Sequence, residues 1–240
     1  MSAPEVAPQH GLWDLENLAG ATRLCDWMFA QYAAAVTGNV VEVGAGIGTF
    51  SSRILSVNPA SLLLLDTEPA CVEELERRLG DRPNVTVVQE ALPEAPSLRA
   101  LAGEVDLIVC QNVLEHIADD REAVAAMARA LRPEGGQLTL IVPAHPRLFG
   151  SLDRRYGHER RYTRAALDRL VFDAGLRVID LYSFNLLGIA GWIAKSRSSD
   201  SSIGVGSLRA YEAMVRLWRP IEDRLNLPWG LSLIVHAQRP

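Results

Sequence analysis

Val41-Glu42-Val43-Gly44-Ala45-Gly46-Ile47-Gly48 is the stretch that decides how this chain folds. An apolar strand carrying Glu42 runs into three alternating glycines that lead toward a helix. Eighteen residues past Gly48, a second apolar run over 62–65 ends in another carboxylate, Asp66. A glycine turn lets a ligand lie against bare backbone. A strand-end acid can accept two hydrogen bonds from a ribose diol. Together they imply a nucleoside site. The glycine spacing narrows the ligand: in a dinucleotide fingerprint the third glycine would occupy position 49, which here is Thr49, one residue past Gly48.

Outward from this turn, short and almost wholly apolar strands alternate with helices. Strands are expected at 39–43, 61–66, 84–89, 105–110 and 137–142, and helices at 47–56, at 69–80 and from near Asp119. Glu122 follows Asp119 by three residues in a capping-box-like arrangement. Ala123, Val124, Met127 and Leu131 give that helix its buried face, and Pro133, Gly135 and Gly136 stop it. The alternation predicts an α/β fold whose parallel sheet is covered on both faces. Ligands of such sheets sit beyond the carboxyl ends of the strands, where Glu42, Asp66, Glu90, Gln111 and Asn112 all fall. Upstream, Leu15, Leu18, Thr22, Cys25, Phe29 and Tyr32 recur at intervals of three and four, which predicts one amphipathic helix over 15–36. Downstream, 143–162 reads as a long loop, and Thr163 caps a helix that Gly175 ends. Strands at 177–183 and 230–238 enclose an insertion, 185–228, with a polar centre at 196–202 and a helix near 207–219. The expected division is an N-terminal helical cap over 1–37 and a ligand-binding domain over 38–240 that includes the insertion.

Composition fits an intracellular globular protein: 240 residues, 48% hydrophobic, 22% charged and a formal net charge of −5. The negative balance argues against a nucleic-acid partner, which calls for a basic face. The one basic cluster, Arg154, Arg155, Arg160, Arg161 and Arg164, reads as solvated or carboxylate-paired surface. Cys25, Cys71 and Cys110 are odd in number and widely spaced, so a reducing cytoplasm is expected and no disulfide framework. The start, MSAPEVAPQH, shows no secretion signal, and no apolar run nears the roughly 20 residues needed to span a membrane.

Further runs carry a family resemblance. Asn112-Val-Leu-Glu-His116-Ile-Ala-Asp-Asp120 and Leu131-Arg-Pro-Glu-Gly-Gly136 resemble the segments after strand 4 and before strand 5 of class I S-adenosylmethionine (SAM) dependent methyltransferases. The glycine triplet between Glu42 and Asp66 fits the same family. Pro143-Ala-His-Pro-Arg-Leu-Phe-Gly-Ser-Leu-Asp153, Gly157-His-Glu-Arg-Arg-Tyr-Thr163 and Gly230-Leu-Ser-Leu-Ile234 are similar to a bacterial subgroup acting on small molecules. That subgroup is often found beside carbohydrate or secondary-metabolite genes. The resemblance implies a Rossmann-like sheet of seven strands in the order 3-2-1-4-5-7-6, with only strand 7 antiparallel, and SAM as cofactor. Gly44, Ala45, Gly46 and Gly48 would lie under the methionine portion, with Glu42 orienting the turn or accepting from the amino group. Asp66 would hold both ribose hydroxyls, and Thr67 would lie at the adenine edge. Glu90 and Ala91 would flank adenine, Glu90 standing where the family more often has Asp. Gln111 and Asn112 would line the path to a small-molecule acceptor. Plainer roles remain open: Asp66 as a helix cap, Glu90 as a solvated loop acid, and Gln111 and Asn112 as partners for loose backbone groups.

In SAM the methyl group already sits on a good leaving group, so the protein's task is to align an acceptor, exclude water and take up a proton where needed. His158, His145, His116 and Tyr156 are the candidates for that proton, since histidine titrates near neutrality. No metal is expected, because no carboxylate or histidine spacing reads as a ligand set, and Glu115 reads as a loop residue. In the insertion, Phe184, Leu186, Leu187, Ile189, Trp192, Tyr211, Met214 and Trp218 would form a hydrophobic lid shaping an acceptor pocket, or else the core of a homodimer interface or of a small helical cap. Trp13 and Trp27 would close the site from the N-terminal side. Two other functions stay open, a nucleotide-dependent oxidoreductase and a SAM-binding protein without catalysis.

Overall fold

Seven strands form one sheet in the order β3-β2-β1-β4-β5-β7-β6 in the computed structural model, which describes residues 15–16, 18–196, 205–225 and 227–240. They are β1 Asn39–Val43, β2 Ser61–Asp66, β3 Val85–Gln89, β4 Leu107–Gln111, β5 Gln137–Pro143, β6 Arg177–Phe184 and β7 Ser232–Gln238. β1 to β5 pair in parallel, while β7 runs antiparallel between β5 and β6. This is the expected order. Trp13 lies outside the described residues, as does most of the polar centre of the insertion.

Side-chain alternation divides the core in two. Val41, Val43, Leu63, Leu65, Ile108 and Cys110 face one way and pack with Leu98, Val124, Met127, Leu167 and Val171 from the helices Pro96–Ala100, Asp120–Ala130 and Arg164–Asp173. Val40, Leu62, Leu64, Leu107 and Val109 face the other way, against Trp27, Ile54, Leu75 and Val215. These strands are buried on both faces, which is why their sequences run apolar without alternation. Asp119 caps its helix as expected, its side chain accepting from Glu122 N at 3.0 Å. Glu122 does not reach back to complete the box; its carboxylate pairs with Arg129 instead. Thr163 accepts from Ala166 N at 3.1 Å. The helix expected from 47 begins at Ser51, because the glycine turn takes up the intervening residues.

The N-terminal segment is broken where one helix was expected. A helical stretch at 18–20 stops at Ala21, and a new helix runs Thr22–Ala30. The break exposes first-turn amides that an unbroken helix would bond internally. Arg23 N and Leu24 N donate to the Glu212 carboxylate at 2.8 and 3.1 Å. Glu212 lies on the long helix Val205–Glu222 of the insertion, so a distant side chain supplies the cap. Trp27 Nε1 donates to Asp223 at 2.7 Å, fastening the same two elements. Met214, Leu217, Ile221 and Leu225 leave an apolar row exposed along the outer side of that helix and the turn after it. Among the described residues no helix is long and apolar enough to cross a membrane.

Candidate active site

The glycine turn leaves β1 and is pinned by β2. Gly44 N and Ala45 N donate to Leu65 O at 2.8 and 3.0 Å, and Gly46 N donates to Asp66 Oδ2 at 2.7 Å. Gly44 and Gly46 both have positive φ, +73° and +55°, a conformation that costs side-chain-bearing residues. A Cβ on Gly44 would also collide with the Val113 side chain. Beneath the turn, Glu42 is 5% exposed and accepts from Ser51 Oγ at 2.5 Å. Burial, together with the nearby Asp66 charge and against the Ser51 hydrogen bond, raises its pKa from 4.5 to about 8.

Asp66 accepts at both oxygens, Oδ2 from Gly46 N and Oδ1 from Glu68 N at 3.0 Å. A carboxylate offers about four lone-pair sites, so roughly two remain, one for each hydroxyl of a diol. Thr67 follows it at the surface. Glu90 is not a solvated acid: its carboxylate accepts from Ser97 N at 2.9 Å and Ser97 Oγ at 2.7 Å, capping the helix Pro96–Ala100, with Ala91 beside it. Gln111 and Asn112 end β4. Gln111 Oε1 is buried with no partner among the described residues, and Asn112 has φ +52°, which turns the chain at the strand end.

Glu42, Gly44, Ala45, Gly46, Gln111 and Asn112 line one cavity of about 100 Å³, closed over by Leu15, Leu18 and Phe50. Leu15 methyls approach to 3.4 Å of where a Gly46 Cβ would stand. A larger concavity of about 720 Å³ opens between Gly20, Arg23, Glu212 and Leu217, away from every strand end. The small cavity is the one bordered by the carboxyl ends of β1 and β4.

The three candidate histidines form two groups. His158 Nδ1 donates to Asp153 Oδ1 at 3.0 Å, and its ring meets His116 edge-on at 4.8 Å and Tyr156 at 6.1 Å. Asp153 is fully buried and also accepts from Gly150 N at 2.8 Å and Arg161 Nε at 2.7 Å. Desolvation by the groups packed around them holds both imidazoles below the usual histidine range, although His116 keeps an edge exposed to solvent. His145 stands apart. It has φ +60°, stacks on Trp229 at 5.4 Å, and keeps a buried Nε2 without a partner among the described residues.

A family model described as a methyltransferase domain matches residues 20–181. The chain belongs to the class I SAM-dependent methyltransferases. Among curated relatives, ubiquinone biosynthesis O-methyltransferase of Erwinia tasmaniensis is 33% identical over 132 residues, covering 51% of this chain and 52% of that protein. The protein of the same name from Psychrobacter arcticus is 23% identical over 224 residues, covering 86% of each. The chain spans about half or less of the length of the first curated relatives it matches. A SAM-dependent methyltransferase from Archaeoglobus fulgidus shares the fold with a TM-score of 0.61 at 14% identity, over 91% of this chain and 94% of that one.

SAM is the methyl donor of this family, and the residues present fit it. The bare backbone at Gly44 and Gly46, the spare lone pairs of Asp66 and the orphaned Gln111 Oε1 are features that a nucleoside carrying an amino acid would satisfy. Three residues of this methyltransferase domain were not legible from its sequence. Asp153 reads as a loop acid yet sits at the centre of a buried network. Arg161 was grouped with surface arginines, but it is 5% exposed, paired with Asp153, and stacked over Trp192 at 4.5 Å. Arg160, by contrast, pairs with Asp120 at 3.0 Å near the surface, as expected of that cluster. Glu115, expected as a loop residue, is 1% exposed and lies in the short helical turn Leu114–His116.

Proposed function

We propose that this chain transfers the methyl group of SAM to an oxygen or nitrogen of a small molecule by direct in-line displacement. What carries the reading is the pairing of Gly46 N with Asp66 beside a cavity lined by Gly46 and by Gln111, whose buried Oε1 has no partner among the described residues. In this reading Gly44, Ala45, Gly46 and Gly48 pass under the methionine portion and Asp66 takes the ribose. Glu42 ionises beneath the ligand's positive charge. Thr67, Glu90 and Ala91 surround adenine through their backbone, since the Glu90 carboxylate is engaged by Ser97. Asn112 borders the path to the acceptor.

A cavity of about 100 Å³ is smaller than ligand sites usually are. Admitting the donor therefore requires Leu15 and Leu18 to move, which gives the proposed cap over 1–37 its role against the 38–240 domain. His158, oriented by Asp153, is the group placed to take a proton, with His116 and Tyr156 beside it; His145 would contact the acceptor. For the acceptor we favour a hydroxylated intermediate, as the ubiquinone O-methyltransferase relatives support, among which sugars and natural products remain included. The three cysteines are unpaired and buried, which supports placing the protein in the cytoplasm.

Calorimetry against SAM, S-adenosylhomocysteine and NAD tests the donor. Binding of the first two alone is expected, and preference for NAD would make the oxidoreductase reading correct. Methyl transfer from labelled SAM, screened over catechol, sugar and amine acceptors, tests catalysis. Donor binding with no turnover on any of them would favour a non-catalytic SAM-binding protein.

A further inference from the structure

We propose that Glu115, His116 and His158 form a binding site for one divalent transition-metal ion of the zinc class. Each residue offers one ligand atom, and these atoms all lie within 4.8 Å of one another. The linear sequence hides this, because His158 stands forty-two residues after His116. The loop after β5 brings them together, with Glu159 N donating to Glu115 O at 2.8 Å across the join.

Two independent features point to a cation. The first is Glu115, 1% exposed, whose Oε2 has no hydrogen-bond partner among the described residues. A buried carboxylate oxygen without a donor is costly and uncommon, and an ion would supply what it lacks. The second is the arrangement behind His158. A carboxylate only accepts, so Asp153 fixes the proton on Nδ1 at 3.0 Å and leaves Nε2 with a free lone pair, 3.9 Å from Glu115 Oε1. Carboxylate–histidine–metal arrangements orient their ligands in this way. Asp153 is itself immobilised by Gly150 N and Arg161 Nε.

The donor set selects the ion. Two imidazoles and one carboxylate suit zinc and its neighbours, whereas magnesium and calcium prefer oxygen. Bonds of about 2.0–2.2 Å would draw the ligand atoms together by about an ångström. His116 can supply that movement because it is solvent-exposed. Three protein ligands leave a position for water or an acceptor atom, and an ion on Nε2 occupies the lone pair with which His158 would otherwise accept a proton, so in the loaded site the ion polarises the acceptor instead. Asn112, four residues before His116, lines the donor cavity, so the two sites share one edge of the sheet.

The test uses the full chain freed of metal with a chelator, then titrated calorimetrically with Zn²⁺, Co²⁺ and Mg²⁺ in turn. One equivalent of Zn²⁺ and of Co²⁺ is expected, each at least about a hundredfold tighter than Mg²⁺, with cobalt giving visible absorption bands of a nitrogen–oxygen site. Glu115→Gln and His116→Ala should each weaken Zn²⁺ by about a hundredfold or more. Asp153→Asn should weaken it about 10–100-fold through His158. Because His116 is exposed, its variant folds even where the buried Glu115→Gln variant does not. Binding of S-adenosylhomocysteine, measured on the same samples, should persist in His116→Ala, so failure of the donor site and failure of the metal site are separable. The proposal is overturned by the absence of saturable Zn²⁺ binding, by Mg²⁺ binding as tightly as Zn²⁺, or by Zn²⁺ affinity that His116→Ala leaves unchanged.

Discussion

Replacing Glu42 with glutamine removes one titratable proton from beneath the glycine turn while keeping the shape and the acceptor for Ser51 Oγ. Its carboxyl, 5% exposed, holds its proton to about pH 8 in the folded chain, against 4.5 for the ordinary group. Between those values the folded state binds a proton that the unfolded chain has released, so unfolding is favoured by rising pH. The slope is about 1.4 kcal/mol per pH unit. Over the interval from 4.5 to about 8, the loss approaches roughly 5 kcal/mol as an upper limit. Glu115 is raised to about 8 for the same reason, burial. It is present in both proteins, so it cancels in the difference between them.

Urea denaturation of the wild type and Glu42→Gln at several pH values from about 5 to about 9 measures that difference. The variant should gain on the wild type by about 1.4 kcal/mol per pH unit up to pH 8 and then hold level. Saturating SAM should reduce the gain, since its positive charge favours ionised Glu42. Parallel stability profiles for the two proteins would refute the reasoning, because they would mean that Glu42 titrates alike in both states.

Asp66→Ala should weaken SAM by about 1.5–3 kcal/mol through the lost ribose bonds, and calorimetry showing unchanged affinity would remove Asp66 from the site. Gly44→Ala places a Cβ against Val113 at φ +73°. It should lower the melting temperature and abolish donor binding together, whereas a variant that binds normally would contradict the geometry. We also propose that a homodimer, if the insertion 185–228 forms one, uses the exposed row through Leu217. Leu217→Glu should then convert a dimer to a monomer in light scattering, and a wild type that is monomeric at every concentration would end that reading.

The local sequence was enough for the strand positions and the parallel character of the sheet, while the order of the strands came from family resemblance. Strand runs such as 61–66 are apolar throughout because both faces are covered, and the glycines and acids that end them mark the ligand edge. The seventh strand was placed by family resemblance, since nothing in 230–238 states its direction. Helix periodicity also misled once. The repeat from Leu15 to Tyr32 is continuous, yet the helix breaks at Ala21 because Glu212, nearly two hundred residues away, satisfies the amides the break exposes.

For this protein, the sequence by itself determined the α/β class, the strand ends that bear Glu42, Asp66, Glu90 and Gln111, and the glycine turn, because each depends on contacts between near neighbours. Only the tertiary structure decided that Asp66 pins the turn, that Glu90 caps a helix, and that Asp153, His158, Glu115 and His116 meet. Those outcomes depend on which loops cross in space and on how completely water is excluded there. A carboxylate in a linear sequence carries no mark of whether it will be solvated or buried, and that difference sets its chemistry.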